Sequence, residues 1–117
     1  MVLGLTIDEL AKKARMRLAV RGRAGGKEIT DVYASDRMSD LLGHVTDSTL
    51  LVTNLLNLSV LRLVELMDVP GICLLKNEEP EPALVEAAKA QRTAILVSPE
   101  AMPETYGRLS RALDGCA

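Results

Sequence analysis

DVYASDRMSDLLGHVTDSTLLVTNLLNLSVLRLVELMDVPGICLLKNEEPEPALVEAAKAQRTA, residues 31–94, is the stretch that decides the fold. It contains three short apolar runs, Asp31–Ala34, Leu50–Val52 and Gly71–Leu75, and each leads into a stretch whose apolar side chains recur at helical spacing. Strands that alternate with helices make an α/β sheet. Each run also ends in small polar residues: Ser35-Asp36, Thr53-Asn54 and Lys76-Asn77. If the runs are neighbouring parallel strands, their C-terminal ends share one edge. Ser35, Asp36, Thr53, Asn54, Lys76 and Asn77 then converge on one crevice, the usual ligand position in an open α/β sheet. These six are the candidate ligand-binding residues.

Toward the N-terminus, Thr6 with Glu9 three residues on forms a capping box, and Leu5 and Leu10 are spaced as a hydrophobic staple across it. A helix is therefore expected to begin there, with Ile7, Leu10, Ala11 and Ala14 as its apolar stripe. Met16–Val20 alternates and reads as a strand. Ile29–Ala34 reads as the next one, so residues 16–34 are expected to form a hairpin with a glycine-rich connection. Arg37–His44 is a short helix with Ser35 or Asp36 as its N-cap, and Asn54 or Asn57 caps the helix that reaches to about Met67.

Toward the C-terminus, Pro80 and Pro82 open a helix through about Gln91, and Ala94–Val97 is a final strand. Pro103 opens the last helix, with a stripe of Tyr106, Leu109 and Leu113 and with Gly115 in the position of a C′ residue. The order is α-β-β-α-β-α-β-α-β-α. The right-handed crossover rule makes the last three β-α units parallel, and the opening hairpin makes the sheet mixed.

The bulk numbers fit one domain over residues 1–117. The hydrophobic fraction is 48% and the mean hydropathy +0.15, which excludes disorder and leaves apolar surface for a partner to cover. Fourteen basic against sixteen acidic residues give a net charge of −2, and aromatic residues are confined to Tyr33 and Tyr106. A nucleic-acid surface needs a basic face or stacking rings, so that class is not expected. No apolar run approaches the ~20 residues of a membrane span. Cys73 lies inside an apolar run and Cys116 is penultimate, with no CxxC and no paired histidine. Reduced cysteines, no metal motif and no leader point to a cytoplasmic protein without a cofactor.

The stretch from Val32 through Met38-Ser39-Asp40 resembles the Y-x-S-D-x-x-S-D element of stand-alone DRTGG domains. LVTN, an apolar helix and then VPGICLLKNEEPEPALVEAAKAQRTAILVS resemble the second half of the same family. The five-letter signature itself is not present literally, and ITDVYASD is the nearest segment. The resemblance runs from about residue 5 to 114. It implies a three-layer α/β/α domain with a mixed, largely parallel five-stranded sheet, like the N-terminal domain of HPr kinase/phosphatase. It also implies a regulatory, ligand-sensing module. Relatives occur beside CBS domains in some pyrophosphatases, inside phosphotransacetylases and near hydrogenase genes.

Two other classes compete. Gly22–Lys27 invites a phosphate-loop reading, but the spacing is one residue short of a Walker A motif, and Glu28 stands where Ser or Thr would hold magnesium. A kinase or phosphotransferase would also need a nucleophile–base pair, and none is evident. An accessory protein of a larger complex would show an apolar face without a polar crevice. The lone His44 reads as a surface or capping residue, and the glutamates from Glu78 to Glu100 as a solvated face. The expectation is therefore a non-enzymatic domain that binds a small anionic or nucleotide-like ligand. It is also expected to be a homodimer. In the helix Leu58–Met67 only Ser59, Arg62 and Glu65 are polar, which leaves more apolar face than one sheet can cover.

Overall fold

A computed structural model describes residues 4–22, 28–54 and 57–114. The ten expected elements form in the expected order: α1 (Ile7–Ala14), β1 (Arg17–Val20), β2 (Asp31–Ala34), α2 (Met38–His44), β3 (Thr49–Val52), α3 (Leu58–Leu66), β4 (Gly71–Leu74), α4 (Pro82–Gln91), β5 (Ala94–Val97) and α5 (Met102–Asp114). The strands make one five-stranded sheet in the order β1-β5-β4-β3-β2. β2, β3, β4 and β5 are parallel to one another, and β1 joins β5 antiparallel.

The sheet is mixed as expected, but not because of a hairpin. β1 and β2 lie at opposite edges, so the chain between them spans the whole sheet. Consecutive strands are only usually neighbours. Here the three crossovers from β2 to β5 all step the same way along the sheet, which uses up every position between β2 and β5. Two edges then remain, the free sides of β2 and β5, and β1 takes the one beside β5. Its exposed Arg17 suits an edge. Most of the glycine-rich loop, residues 23–27, lies outside the described residues, as do Gly115 and Cys116.

Side chains alternate between the two faces at the strand period of two. Leu50, Val52, Cys73, Leu75, Ala94 and Leu96 face α1 and α5, together with Leu10, Ala14, Leu109 and Leu113. Leu51, Ile72, Leu74 and Ile95 face α2, α3 and α4, together with Leu41, Val60, Val64 and Ala88. The result is the expected three layers. β3, β4 and β5 are buried along their whole length, which is why their sequences read as continuous apolar runs.

The caps explain where several elements begin. Glu9 N–H donates to Thr6 Oγ1 at 3.2 Å, and Thr6 N–H to Glu9 Oε1 at 2.9 Å, closing the capping box. Hydrogen bonds from the Thr6 backbone N–H and from its side chain hold the Glu9 carboxyl below its usual range. Leu5 and Leu10 are both buried, as the staple requires, and Leu5 is also tied to Ile29 by a pair of backbone hydrogen bonds. Asn57 caps α3 by accepting from Val60 N–H at 3.0 Å, and Pro82 opens α4.

Two local expectations fail. α2 begins after Arg37, which makes no side-chain cap, so neither Ser35 nor Asp36 is its N-cap residue. Tyr106 is 44% exposed, and the buried stripe of α5 is Thr105, Leu109 and Leu113 at i, i+4, i+8. At Gly71 an added Cβ would lie 2.9 Å from Ile7 Cδ1, so a side chain there would displace the tip of Ile7, which glycine leaves in place between α1 and β4.

Candidate functional site

β2, β3 and β4 are neighbouring parallel strands in register, so the three polar exits do share one edge. At the first two, side chains bond to one another. Asp36 reaches across to the end of β3, where its carboxylate accepts from Thr53 Oγ1 at 3.1 Å, Asn54 N–H at 2.7 Å and Asn54 Nδ2 at 3.0 Å. Partial burial opposes ionisation of Asp36. The bonds from the Asn54 side chain, its backbone N–H and Thr53 outweigh that and hold the carboxyl below its usual value. Thr53 is fully buried, whereas Asp36 and Asn54 face solvent.

Ser35 is occupied locally. Its hydroxyl donates to Asp40 Oδ2 at 3.3 Å and accepts from Arg37 N–H at 3.1 Å, so it steadies the entry to α2 from two residues upstream. His44, at the other end of α2, is exposed, stacks on Tyr33 with ring centroids 4.6 Å apart and donates from Nδ1 to Asp40 O at 2.8 Å. It is a surface and capping residue.

The third exit is built differently. Lys76 and Asn77 both have positive φ, 54° and 56°. That left-handed turn aims their backbone at the loop after β5: Lys76 N–H donates to Glu100 O at 2.9 Å and Asn77 N–H to Ser98 O at 2.8 Å. Both side chains are exposed. Beneath them Ser98 and Thr105, fully buried, share a hydroxyl hydrogen bond of 2.7 Å, and Ser98 Oγ accepts from Glu100 N–H at 3.1 Å. This buried pair escaped the sequence reading. Its signal was a serine directly after an apolar strand and a threonine four residues before Leu109 on the buried stripe. An Arg17–Glu79 ion pair fastens the start of β1 to the loop after β4 at the same edge.

The chain leaves β4 for α4 on one face and leaves β5 for α5 on the other. The two paths diverge between β4 and β5, the position at which such sheets can open a crevice, but here backbone hydrogen bonds from Lys76 and Asn77 join the two loops. Asp36, Thr53 and Asn54 lie farther along the same edge.

Cys73 is buried and its thiol is pushed up to about 12 by burial, which makes it a packing residue and not a nucleophile. Among the described residues no cluster of three His, Cys, Asp or Glu side chains could hold a metal. No helix among them is long and apolar enough to cross a membrane.

No family model matches the sequence, and no curated protein does. A solved structure matches the fold: the CBS and DRTGG domains of the regulatory region of Clostridium perfringens pyrophosphatase, complexed with its activator diadenosine tetraphosphate. The TM-score is 0.71 over 92% of this chain at 9% identity. The fold is DRTGG-like. The chain spans about half of that structure, 47% of its length, and at this identity the likeness speaks for the fold alone.

Proposed function

We propose that this DRTGG-like chain is a regulatory, ligand-sensing domain with no catalysis of its own, and that a small nucleotide-like ligand binds along the edge formed by Ser35, Asp36, Thr53, Asn54, Lys76 and Asn77. One observation carries the reading: the ionised Asp36 carboxylate is fixed by three donors at the end of β3 and still faces solvent. A carboxylate offers about four acceptor positions, so three donors leave room for a ligand hydroxyl. A carboxylate beside a strand end commonly serves a ribose in this way. Lys76 stands two strands along, roughly 10 Å at the usual strand spacing. Its exposed ammonium suits the phosphate of the same ligand. The fold likeness to the regulatory region of a nucleotide-activated pyrophosphatase supports the ligand class.

The response would be relayed through a homodimer in the cytoplasm. Val60, Leu61, Leu63 and Val64 of α3 are buried within the chain, but Leu58 and Leu66 remain 61% and 78% exposed. A second copy across this face would cover them, in the commonest twofold arrangement. Light scattering should give a dimer mass at micromolar concentration, and a monomer mass would refute that part.

The site is tested by thermal shift against ATP, AMP and diadenosine tetraphosphate, with Thr53→Ala/Asn54→Ala as the comparison. At least one nucleotide should raise the melting temperature of the wild type, and the double variant should lose the shift while keeping its circular dichroism. Equal shifts in both proteins would leave these residues a purely structural role. Magnesium-dependent ATP turnover, abolished by Lys27→Ala, would replace the reading with an enzyme.

A further inference from the structure

The pair that holds the end of β3 has hydrogen-bonding capacity left over, and its position decides what can use it. Asp36 Oδ1 accepts from both Thr53 Oγ1 and Asn54 N–H, so its two acceptor positions are full. Asp36 Oδ2 accepts from Asn54 Nδ2 at 3.0 Å, which leaves one position on that oxygen. Asn54 Nδ2 gives one of its two N–H groups to this bond and keeps the other. The amide cannot be turned the other way round, because its oxygen would then face the carboxylate. Both residues face solvent. The edge thus presents an acceptor on a charged oxygen and a donor on a nitrogen 3.0 Å from it.

A single incoming atom cannot use both, because the two N–H groups of a planar amide diverge. Two adjacent ligand atoms can, one donating to Asp36 Oδ2 and its neighbour accepting from Asn54 Nδ2. The cis hydroxyls of a ribose are such a pair, and each can donate or accept. Other groups fit less well. A phosphate would be repelled by the Asp36 carboxylate. A guanine edge pairs two donors with both oxygens of a carboxylate, and Oδ1 is full. An adenine edge sets a donor beside an acceptor, but bases are held by stacking on rings. Tyr33 is already stacked on His44, and Tyr106 belongs to α5. A hydroxyl that donates to a carboxylate also makes the shorter and stronger class of hydrogen bond.

We propose that Asp36 and Asn54 together bind a vicinal diol, so that the domain selects ribonucleotides against deoxyribonucleotides. This rests on the nucleotide reading of the strand-end edge and assigns the residues that set its sugar specificity. Asp36 Oδ2 takes the proton of one hydroxyl, and Asn54 Nδ2 donates to the oxygen of the next.

Calorimetric titration of the full chain compares AMP and ATP with their 2′-deoxy and 3′-deoxy forms. Loss of the hydroxyl that donates to the carboxylate should weaken binding about tenfold, and loss of its neighbour about threefold. Asn54→Ala keeps the backbone N–H to Asp36 and removes the spare donor. It should bring the smaller ratio to about one and leave the larger ratio in place, a change in selectivity that a purely structural role would not produce. Circular dichroism checks that this variant is folded; if it is not, the wild-type comparison decides alone. Equal affinities of the three sugar forms, for a chain whose nucleotide-induced thermal shift Thr53→Ala/Asn54→Ala abolishes, would overturn the diol and leave the site standing. In that case weaker binding of inosine triphosphate than of ATP would assign the pair to an adenine edge. No binding of AMP or ATP, or binding that the double variant leaves intact, would remove the site and the diol together.

Discussion

The two halves of the sheet's C-terminal edge are held together by different means. At the ends of β2 and β3 side chains do the holding: Asp36 ties itself to Thr53 and Asn54. At the ends of β4 and β5 the backbone does it, through Lys76 and Asn77 bonding to Glu100 and Ser98, with a buried hydroxyl pair below. A side chain that holds an edge cannot be removed without loosening the fold. A side chain that rides on a backbone-held turn is free to serve a ligand. The first half should therefore couple binding to stability, and the second should separate them.

The largest effect expected on this account is at Asp36. Asp36→Ala leaves the buried Thr53 hydroxyl and the Asn54 N–H without their acceptor. It should cost about 2 kcal/mol in chemical denaturation, a value tempered by the exposure of the carboxylate. A loss below about 0.5 kcal/mol would mean that water replaces Asp36 without penalty, and the contrast between the halves would disappear.

Ser98→Ala should cost somewhat less, about 1–1.5 kcal/mol, because the Thr105 hydroxyl keeps the Glu100 carbonyl at 3.3 Å as an alternative partner. Thr105→Val placed on top of it should add little, since removing both members of a buried pair leaves fewer orphaned groups than removing one. A strongly additive double variant would show that the two hydroxyls act separately.

Acid should sharpen the contrast. The Asp36 carboxyl titrates lower in the folded chain than in the unfolded one, so its stabilisation is fully present above the unfolded value near 4. It is lost as the pH falls through the lower folded value. Between pH 5 and pH 3 the wild type should lose more stability than Asp36→Asn. Parallel acid limbs would show that the three hydrogen bonds do not favour the charged form.

The smallest effect is at Lys76, and it has the opposite sign. A left-handed backbone costs a non-glycine residue roughly 1 kcal/mol. Lys76→Gly should therefore stabilise the chain by about 0.5–1 kcal/mol while weakening nucleotide binding. Destabilisation would mean that the lysine side chain holds the turn, as Asp36 does on the other half.

Much of this was legible in the sequence, and what was missed has a common cause. The apolar runs, the capping box at Thr6 and the prolines at α4 are local signals, and each marks a real element. The partner of β1 was not legible. Its alternation identifies a strand, but two sheet edges stay open once β2 to β5 have been laid down in order, and no local signal chooses between them. Ser35 and Asp36 have the composition of an N-cap, yet the acceptor of Asp36 is committed to residues 17 and 18 positions away. Tyr106 reads as core by spacing, but the stripe is taken one residue earlier by Thr105, whose hydroxyl meets Ser98. In each case a long-range polar contact or a topological remainder overrides a sound local signal. That β2, β3 and β4 would end along one edge was legible because parallel pairing in sequence order follows from the β-α repeats.

The most direct test of the central claim is to map where a nucleotide touches the folded chain. In a ¹H–¹⁵N correlation spectrum titrated with ATP, the account predicts that the backbone signals of Asp36, Asn54, Lys76 and Asn77 move together with one dissociation constant, and that those of Asn54 stay still in Asp36→Ala. Saturable shifts confined to other residues, or none at millimolar ATP, would contradict it.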